Sequence, residues 1–421
     1  VWRASAAPAA EAISGVPVFI GFGDAPHAGA RSPEDFPGVC VRRFGRWDER
    51  AFGQALRPAD GSFLRQAVRG FFANGGERCV VMAVSTPEEA ASSETAAPLR
   101  VNALLHSLRE GGPLESLDEA DLICAPDAVS RLVPPASLQE IQTAILDHCR
   151  ARANRFAILD APRVLDSRKP VDALERIAQS LRSEYGAMYF PWIVSDATED
   201  DARPGGDLSA AAQWRRAGSE VPSRKSGEDI PPSGHVAGVY ARVDRAAQHR
   251  APANERLIGA LDATVALSWD DFASINEARV NCITARGARG VAVMGARTLS
   301  GLSQFTYVST ARTLIGLRRW IEHNMRDLVF EPQTPLLWDR IHRRLLGHCR
   351  DLWRANALAG ADESEAYRVR CDDETNPPES RDQGRVIATV SVAPVTPAEF
   401  IEVQVIHEAS GITVAAAVTA A

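Results

Sequence analysis

Lysine is almost absent from this chain: Lys169 and Lys225 stand alone among 47 basic residues. A Walker A loop needs a lysine behind its glycines, and neither lysine has that spacing, so no P-loop is present. The scarcity itself reads as base composition. Cysteine is sparse and scattered. The seven residues, Cys40, Cys79, Cys124, Cys149, Cys282, Cys349 and Cys371, are odd in number and form no CxxC pair. That suits the reduced thiols of a cytosolic protein better than a disulfide framework. No apolar run reaches the ~18 residues that a membrane-crossing helix needs. A basic n-region followed by an apolar h-region is also missing, so no signal peptide is expected. The chain opens on Val1, not methionine, and an incomplete N-terminus is expected.

Catalytic signatures are lacking as well. There is no HExxH, no EF-hand loop and no GxSxG elbow. His407-Glu408 has no second histidine at the required position, and His342 and His348 fall on different faces of any helix. Gly287-Ala-Arg-Gly-Val-Ala-Val-Met-Gly295 is glycine-rich without the GxGxxG order. No metal and no cofactor is expected.

What is present is ordinary soluble composition, 45% hydrophobic and 24% charged, over 421 residues. That length allows about two to three domains. A net charge of −7 argues against nucleic acid or an anionic membrane as partner of the whole surface.

Strand and helix patterns alternate through the first two thirds. Val16–Phe22 is a short apolar run that reads as a buried strand. A helix spaced over 61–73 ends at Asn74-Gly75-Gly76, and the continuous run Cys79–Val84 follows as a strand buried on both faces. Helices near 99–110, 136–151 and 171–183 lead to strands at 121–126, 155–160 and 187–194. This rhythm predicts an α/β fold with a mainly parallel sheet. Residues 196–234, polar and rich in Gly, Pro and Ser, read as an exposed insertion. A helix is expected at 235–249 and a short strand at 290–295.

The last third differs. Two amphipathic helices, near 309–328 and 335–358, precede an acidic loop at 371–383. Two alternating runs follow. Val386, Ala388, Val390 and Val392 share one face of the first, and Ile401, Val403 and Val405 one face of the second. Pro394 and Pro397 break the ladder between them. Helices followed by antiparallel-looking strands form a C-terminal α+β module. Strands with open edges near a chain end are either covered or recruit another chain.

Two candidate sites come from the residues alone. Asp127 and Asp160 sit at or just past strand ends, where α/β enzymes place catalytic groups. They could mark a hydrolase or nucleotide-binding enzyme, or serve as a helix cap or salt bridge. Arg340, Arg343, Arg350 and Arg354 form a basic stripe on another face from the apolar positions Leu337, Ile341, Leu345, Cys349 and Leu352 of their helix. That stripe is either a solvated face or a contact for an acidic surface.

A series of short segments resembles contractile tail sheath proteins, in the family's order. These are Phe71-Phe-Ala-Asn-Gly-Gly-Glu-Arg78, Pro231-Pro-Ser-Gly-His-Val-Ala-Gly-Val-Tyr240, Ala251-Pro-Ala-Asn-Glu255 and Gly295-Ala-Arg-Thr-Leu299. Tyr307-Val308 with Arg312, Val329-Phe-Glu-Pro-Gln333 with Leu337-Trp338, and Val392-Ala-Pro-Val-Thr-Pro-Ala-Glu-Phe400 continue the series. The resemblance implies a structural protein, not an enzyme. Its subunit would polymerise in stacked hexameric rings around an inner tube, wait in an extended metastable state, and contract to drive the tube through a target envelope. Phage tails, R-type bacteriocins and extracellular contractile injection systems share such a part.

The resemblance also implies a division of the chain: an N-terminal arm at 1–15, a sheath body at 16–296, a C-terminal module at 297–406 and a tail at 407–421. Terminal strands would be exchanged between neighbours at the sheet of Val386, Ala388, Val390, Val392, Ile401, Val403 and Val405. The basic helix with Arg340, Arg343, Arg350 and Arg354 would hold the tube. Baseplate and terminal cap proteins would be further partners, without nucleic acid or membrane insertion. Assembly is expected in the cytoplasm, in a particle that stays there or is released. The family's usual N-terminal strand is absent before Val16, and the chain runs on past Ile406 beyond the family's common end.

Overall fold

Continuous apolar runs with no polar face can be stable only where both faces of a sheet are covered, and the chain satisfies this. The computed structural model describes residues 14–25, 36, 38–85, 96–163, 170–195, 227–247, 250–395, 401–408 and 411–417. One compact unit takes in Ser14–Ala246 and Ala251–Val308; Ser309–Ala421 belongs to the other.

In the first unit the elements run β1 (Pro17–Asp24), β2 (Val39–Phe44), α1 (Glu49–Ala55), β3 (Arg57–Pro58), α2 (Leu64–Ala73), β4 (Cys79–Val84) and α3 (Ala96–Leu108). Next come β5 (Leu122–Cys124), α4 (Leu138–Arg152), β6 (Phe156–Asp160), α5 (Pro170–Ser180), β7 (Gly186–Phe190), β8 (Ile193–Ser195) and β9 (Glu228–Ile230). They end with α6 (Ser233–Ala247), β10 (Ala260–Ala263), α7 (Trp269–Glu277), β11 (Val280–Ala285) and β12 (Val291–Val293). The main sheet has the order β12-β11-β7-β6-β5-β1-β4-β2, with β3 beside β1. The pairs from β11 through β4 are parallel, and β12 and β2 close the two edges antiparallel. Val18, Ile20, Met82, Ile123, Leu159 and Met188 meet the helices in one continuous core.

The expected single strand at 187–194 is two strands in two sheets. β7 lies in the main sheet, and β8 is the middle of a separate sheet ordered β10-β8-β9. Pro191 stands between them and has no N–H to donate, so the ladder breaks there. The strand β2 falls in a stretch where the sequence pattern marks no element. Arg42 and Arg43 interrupt its pattern because an edge strand needs only one buried face. Most of the expected insertion, 196–226, lies outside the described residues, as do residues 1–13 of the expected arm at 1–15 and residues 396–400 of the corner between the two alternating runs.

The glycine-rich segments have packing reasons. The fully buried Asn74 stops α2: its side chain donates to Gly70 O and Ile258 O and accepts from Ile258 N–H. Helix α6 lies against α2 through Gly234 and Gly238. A Cβ on either would stand 2.4 Å from the backbone of Ala67 or Phe71. Only glycine permits that approach.

The second unit holds α8 (Val308–Asn324), α9 (Pro335–Arg354), α10 (Glu363–Ala366), β13 (Tyr367–Arg370), α11 (Pro378–Asp382), β14 (Val386–Val392), β15 (Ile401–Glu408) and β16 (Gly411–Ala417). Its sheet is antiparallel throughout, ordered β13-β14-β15-β16. Val386, Ala388, Val390 and Val392 are buried at alternate positions of β14, in one core with Leu337, Ile341, Leu345 and Cys349 of α9. All seven cysteines are free and buried.

His348 of α9 lies flat on Trp320, with ring centroids 4.0 Å apart and 3° between planes. Burial lowers its pKa to about 4, below the ordinary 6.5. As pH falls, the unfolded chain takes up that proton first. The stability held by the neutral ring is thus complete above pH 6.5 and is lost towards pH 4. His348→Phe is expected to remove about 3 kcal/mol of this acid sensitivity, read from denaturant midpoints at neutral and acid pH. Equal acid sensitivity in the two proteins would contradict it.

Candidate assembly surfaces

Asp127 is fully buried in a turn just past β5 and is saturated with donors. Its Oδ2 accepts from Phe22 N–H and the Ser62 hydroxyl, both at 2.7 Å, and Oδ1 accepts from Phe63 N–H at 2.6 Å. It joins the end of β1 to the start of α2. Asp160 closes β6 at 3% exposure, and its Oδ1 accepts the Ser233 N–H at 2.8 Å, capping the first turn of α6. Burial pushes the carboxyls of Asp127 and Asp160 up, to about 6 and about 7. Both residues tie elements together inside the fold, the helix-cap role weighed against the catalytic one. Among the described residues no cluster of metal-ligating side chains occurs, and no helix is long and apolar enough to cross a membrane.

Arg340, Arg343, Arg350 and Arg354 do share one side of α9, within about 80° at 100° per residue. They lie opposite the buried stripe. Three of them are already paired within the chain. Arg340 pairs with Glu331, Arg343 with Asp339 at 2.7 Å, and Arg350 holds Glu363 through two bonds of 3.0 and 3.2 Å. The Tyr367 hydroxyl joins Glu363 at 2.6 Å, and with Arg350 it keeps that carboxyl below its usual range. The Arg343 pair is the most open, with 70% of the arginine side chain exposed. Arg344, which the stripe omits, makes a two-pronged bond to Asp327 at 2.6 and 2.7 Å.

The strand surface also differs from a pair of open-edged strands. β14 has a neighbour on each side, because Tyr367–Arg370 supplies β13. That four-residue strand alternates buried and exposed, but it is too short to stand out in the sequence. β15 pairs with β14 along its length, Val403 opposite Val390 and Val405 opposite Ala388, and with β16 on its other side. Among the described residues the outer edges of this sheet are those of β13 and β16. Phe330 and Leu336, in and near the α8–α9 connection, are 86% and 77% exposed, and Trp269 at the head of α7 is 81% exposed. Nothing in the residue pattern marks these three as exposed, since an apolar residue looks the same in sequence whether covered or open.

Two family domains match this chain in succession. The phage tail sheath protein central domain matches residues 117–299, and the phage tail sheath C-terminal domain matches residues 302–407. Together they take in most of the chain, which therefore belongs to the phage tail sheath family. That family is one of structural proteins, not enzymes.

Solved structures share the fold over nearly the whole length. The contracted sheath of an extracellular contractile injection system, PVC, superposes with a TM-score of 0.65 at 24% identity, covering 94% of each chain. The contracted helical sheath of the anti-feeding prophage gives 0.66 at 22% identity, over 95% of this chain and 96% of that one. The sheath tail protein of Desulfitobacterium hafniense gives 0.58 at 11% identity, over 93% and 96%. No curated protein matches the chain.

Proposed function

We propose that this chain is the sheath subunit of a contractile injection machine, polymerising around an inner tube and contracting to drive it forward. The observation that carries this reading is the presence of both sheath domains, in family order, across residues 117–407. The similar structures are themselves sheath and baseplate assemblies. In this reading the partners are neighbouring subunits, the tube, a baseplate and a terminal cap. The machine is assembled in the cytoplasm. Energy is held as the difference between two packings of one subunit, which needs no nucleotide.

The antiparallel sheet supports inter-subunit strand exchange. Val386, Ala388, Val390 and Val392 anchor β14 in the core, so the outer strands are the exchangeable ones. Ile401, Val403 and Val405 lie on the strand that receives them. The face of α9 with Arg340, Arg343, Arg350 and Arg354 is the proposed tube contact. Co-expression with a cognate inner tube protein is expected to yield sheathed tubes in negative-stain micrographs, and bare tubes with soluble subunit would sink the reading. Arg343→Glu with Arg354→Glu is expected to lower tube co-assembly by about tenfold without affecting monomer folding. These two are preferred because Arg350 holds Glu363 within the chain. Unchanged co-assembly would assign the tube to another face.

A further inference from the structure

Three arginines gather at one end of the main sheet. α5 and α7 pack side by side and lead into the adjacent strands β7 and β11, where Val280 stands beside Met188. Arg182 follows α5 and Arg279 follows α7. The segment 297–301 crosses the starts of the same two strands. Asn281 donates to Arg297 O at 2.8 Å and accepts from Arg297 N–H at 2.7 Å, and Leu299 N–H reaches Gly186 O at 2.9 Å. The Arg182 Nη1 lies 2.8 Å from where a Cβ on Gly301 would stand. Among the described residues none of the three has an ion pair, and the buried Nη1 of Arg279 has no acceptor. Burial, with Arg297 and Arg182 close by, lowers the pKa of Arg279.

Arg297 also walls an open groove of about 550 Å³ along α7, lined by Trp269, Phe272, Ala273, Asn276 and Glu277. Trp269 rests edge-on against Phe272, with centroids 5.9 Å apart, and its ring is otherwise bare. Against the one carboxylate of the wall, Glu277, the three arginines leave this end of α7 with a net positive charge, which beside the Trp269 platform suits a segment carrying both a carboxylate and a proline.

The chain itself presents such a segment in its other unit. Asp372-Asp373-Glu374 is exposed and leads to Pro377-Pro378. Pro377 has φ −62° and ψ 164°, the polyproline II region that aromatic grooves select. The loop is held firm. Asn376 bonds both backbone groups of Ile387, at 2.6 and 3.0 Å, and Asp372 accepts from Glu374 and Thr375 N–H, each at 3.0 Å. Glu374 pairs with Arg370, while Asp373 has no ion pair among the described residues.

We propose that the groove of Trp269 and Arg297, with Arg279 and Arg182, takes the Asp373–Pro378 loop of a second copy of this chain. Groove and loop are different surfaces, so the contact is head-to-tail. Such contacts propagate into an open helical polymer, which is the assembly the sheath reading requires. The inference rests on that reading.

A charge exchange tests it. Arg279→Glu with Arg297→Glu, and separately Asp373→Arg, should each cut sedimentable sheath by about tenfold. Mixing the two variant chains should restore it, because each then meets a complementary neighbour. Undiminished polymer from either variant overturns the proposal and leaves the sheath reading intact. Rescue only when all changes sit in one chain overturns it too, since the contact would then be internal. If the arginine variants melt early as monomers, Trp269→Ala replaces them, its ring being exposed. Its full polymer yield would be equally fatal. Should unmodified chains form no sheath at all, the sheath reading fails and this contact falls with it.

Discussion

Ending the chain at Glu408 is expected to leave a folded, soluble subunit that no longer forms sheath. The cut removes β16, which pairs with β15 from Glu402 to Glu408 at the outer side of the sheet. The described core of Leu345, Val390 and Val392 around α9 stays in the shortened chain. What the cut removes is a strand whose partner edge is the same whether it comes from its own chain or a neighbour. Exchange of such an element is a low-cost route to assembly. At about 0.5–1.5 kcal/mol net for each backbone bond, a seven-residue strand contributes several kcal/mol per joint. Tubes visible in micrographs of the truncated protein would refute the exchange. A cut before Val386 is a different experiment. It deletes four buried core positions and is expected to unfold the second unit, so lost assembly would say nothing about the joint.

Asp127→Ala is expected to destabilise the first unit by about 3–5 kcal/mol. Three donors, Phe22 N–H, Phe63 N–H and the Ser62 hydroxyl, would be left in a fully buried site without an acceptor. Asp127→Asn keeps one acceptor oxygen and should lose less. The carboxyl also has a sign in pH. Its folded-state pKa of about 6 lies above the ordinary 3.8, so its contribution is fullest below 3.8 and declines as pH rises through 6. The asparagine variant should lack that slope. Chemical denaturation followed by circular dichroism reads both effects. A change below 1 kcal/mol for the alanine variant would show that water replaces the carboxylate, since a satisfied site costs about that little.

Much of this was legible in the sequence because it is local. The buried run Cys79–Val84 has no polar face to show water, so it can be only a covered strand. The alternation of Val386, Ala388, Val390 and Val392 dictates one wet and one dry face, as β14 has. The sheath motifs were legible for a packing reason. Asn74 stops a helix, and Gly234 and Gly238 admit a neighbouring backbone, so few other residues serve at those positions.

What lay beyond the sequence depends on partners distant along the chain. The strand Tyr367–Arg370 exists because β14 offers it an edge, and its four residues alone carry too little pattern to announce it. The stripe on α9 follows from helical spacing, but Glu331 and Glu363, which neutralise parts of it, are brought there by turns on either side. Arg182, Arg279 and Arg297 stand more than a hundred residues apart at their extremes and meet only because β7 and β11 are neighbours in the sheet. Periodicity and residue chemistry thus determined the elements and the family. Tertiary structure alone decided which charges remain unpaired, because that depends on which chain segments the sheet order brings together.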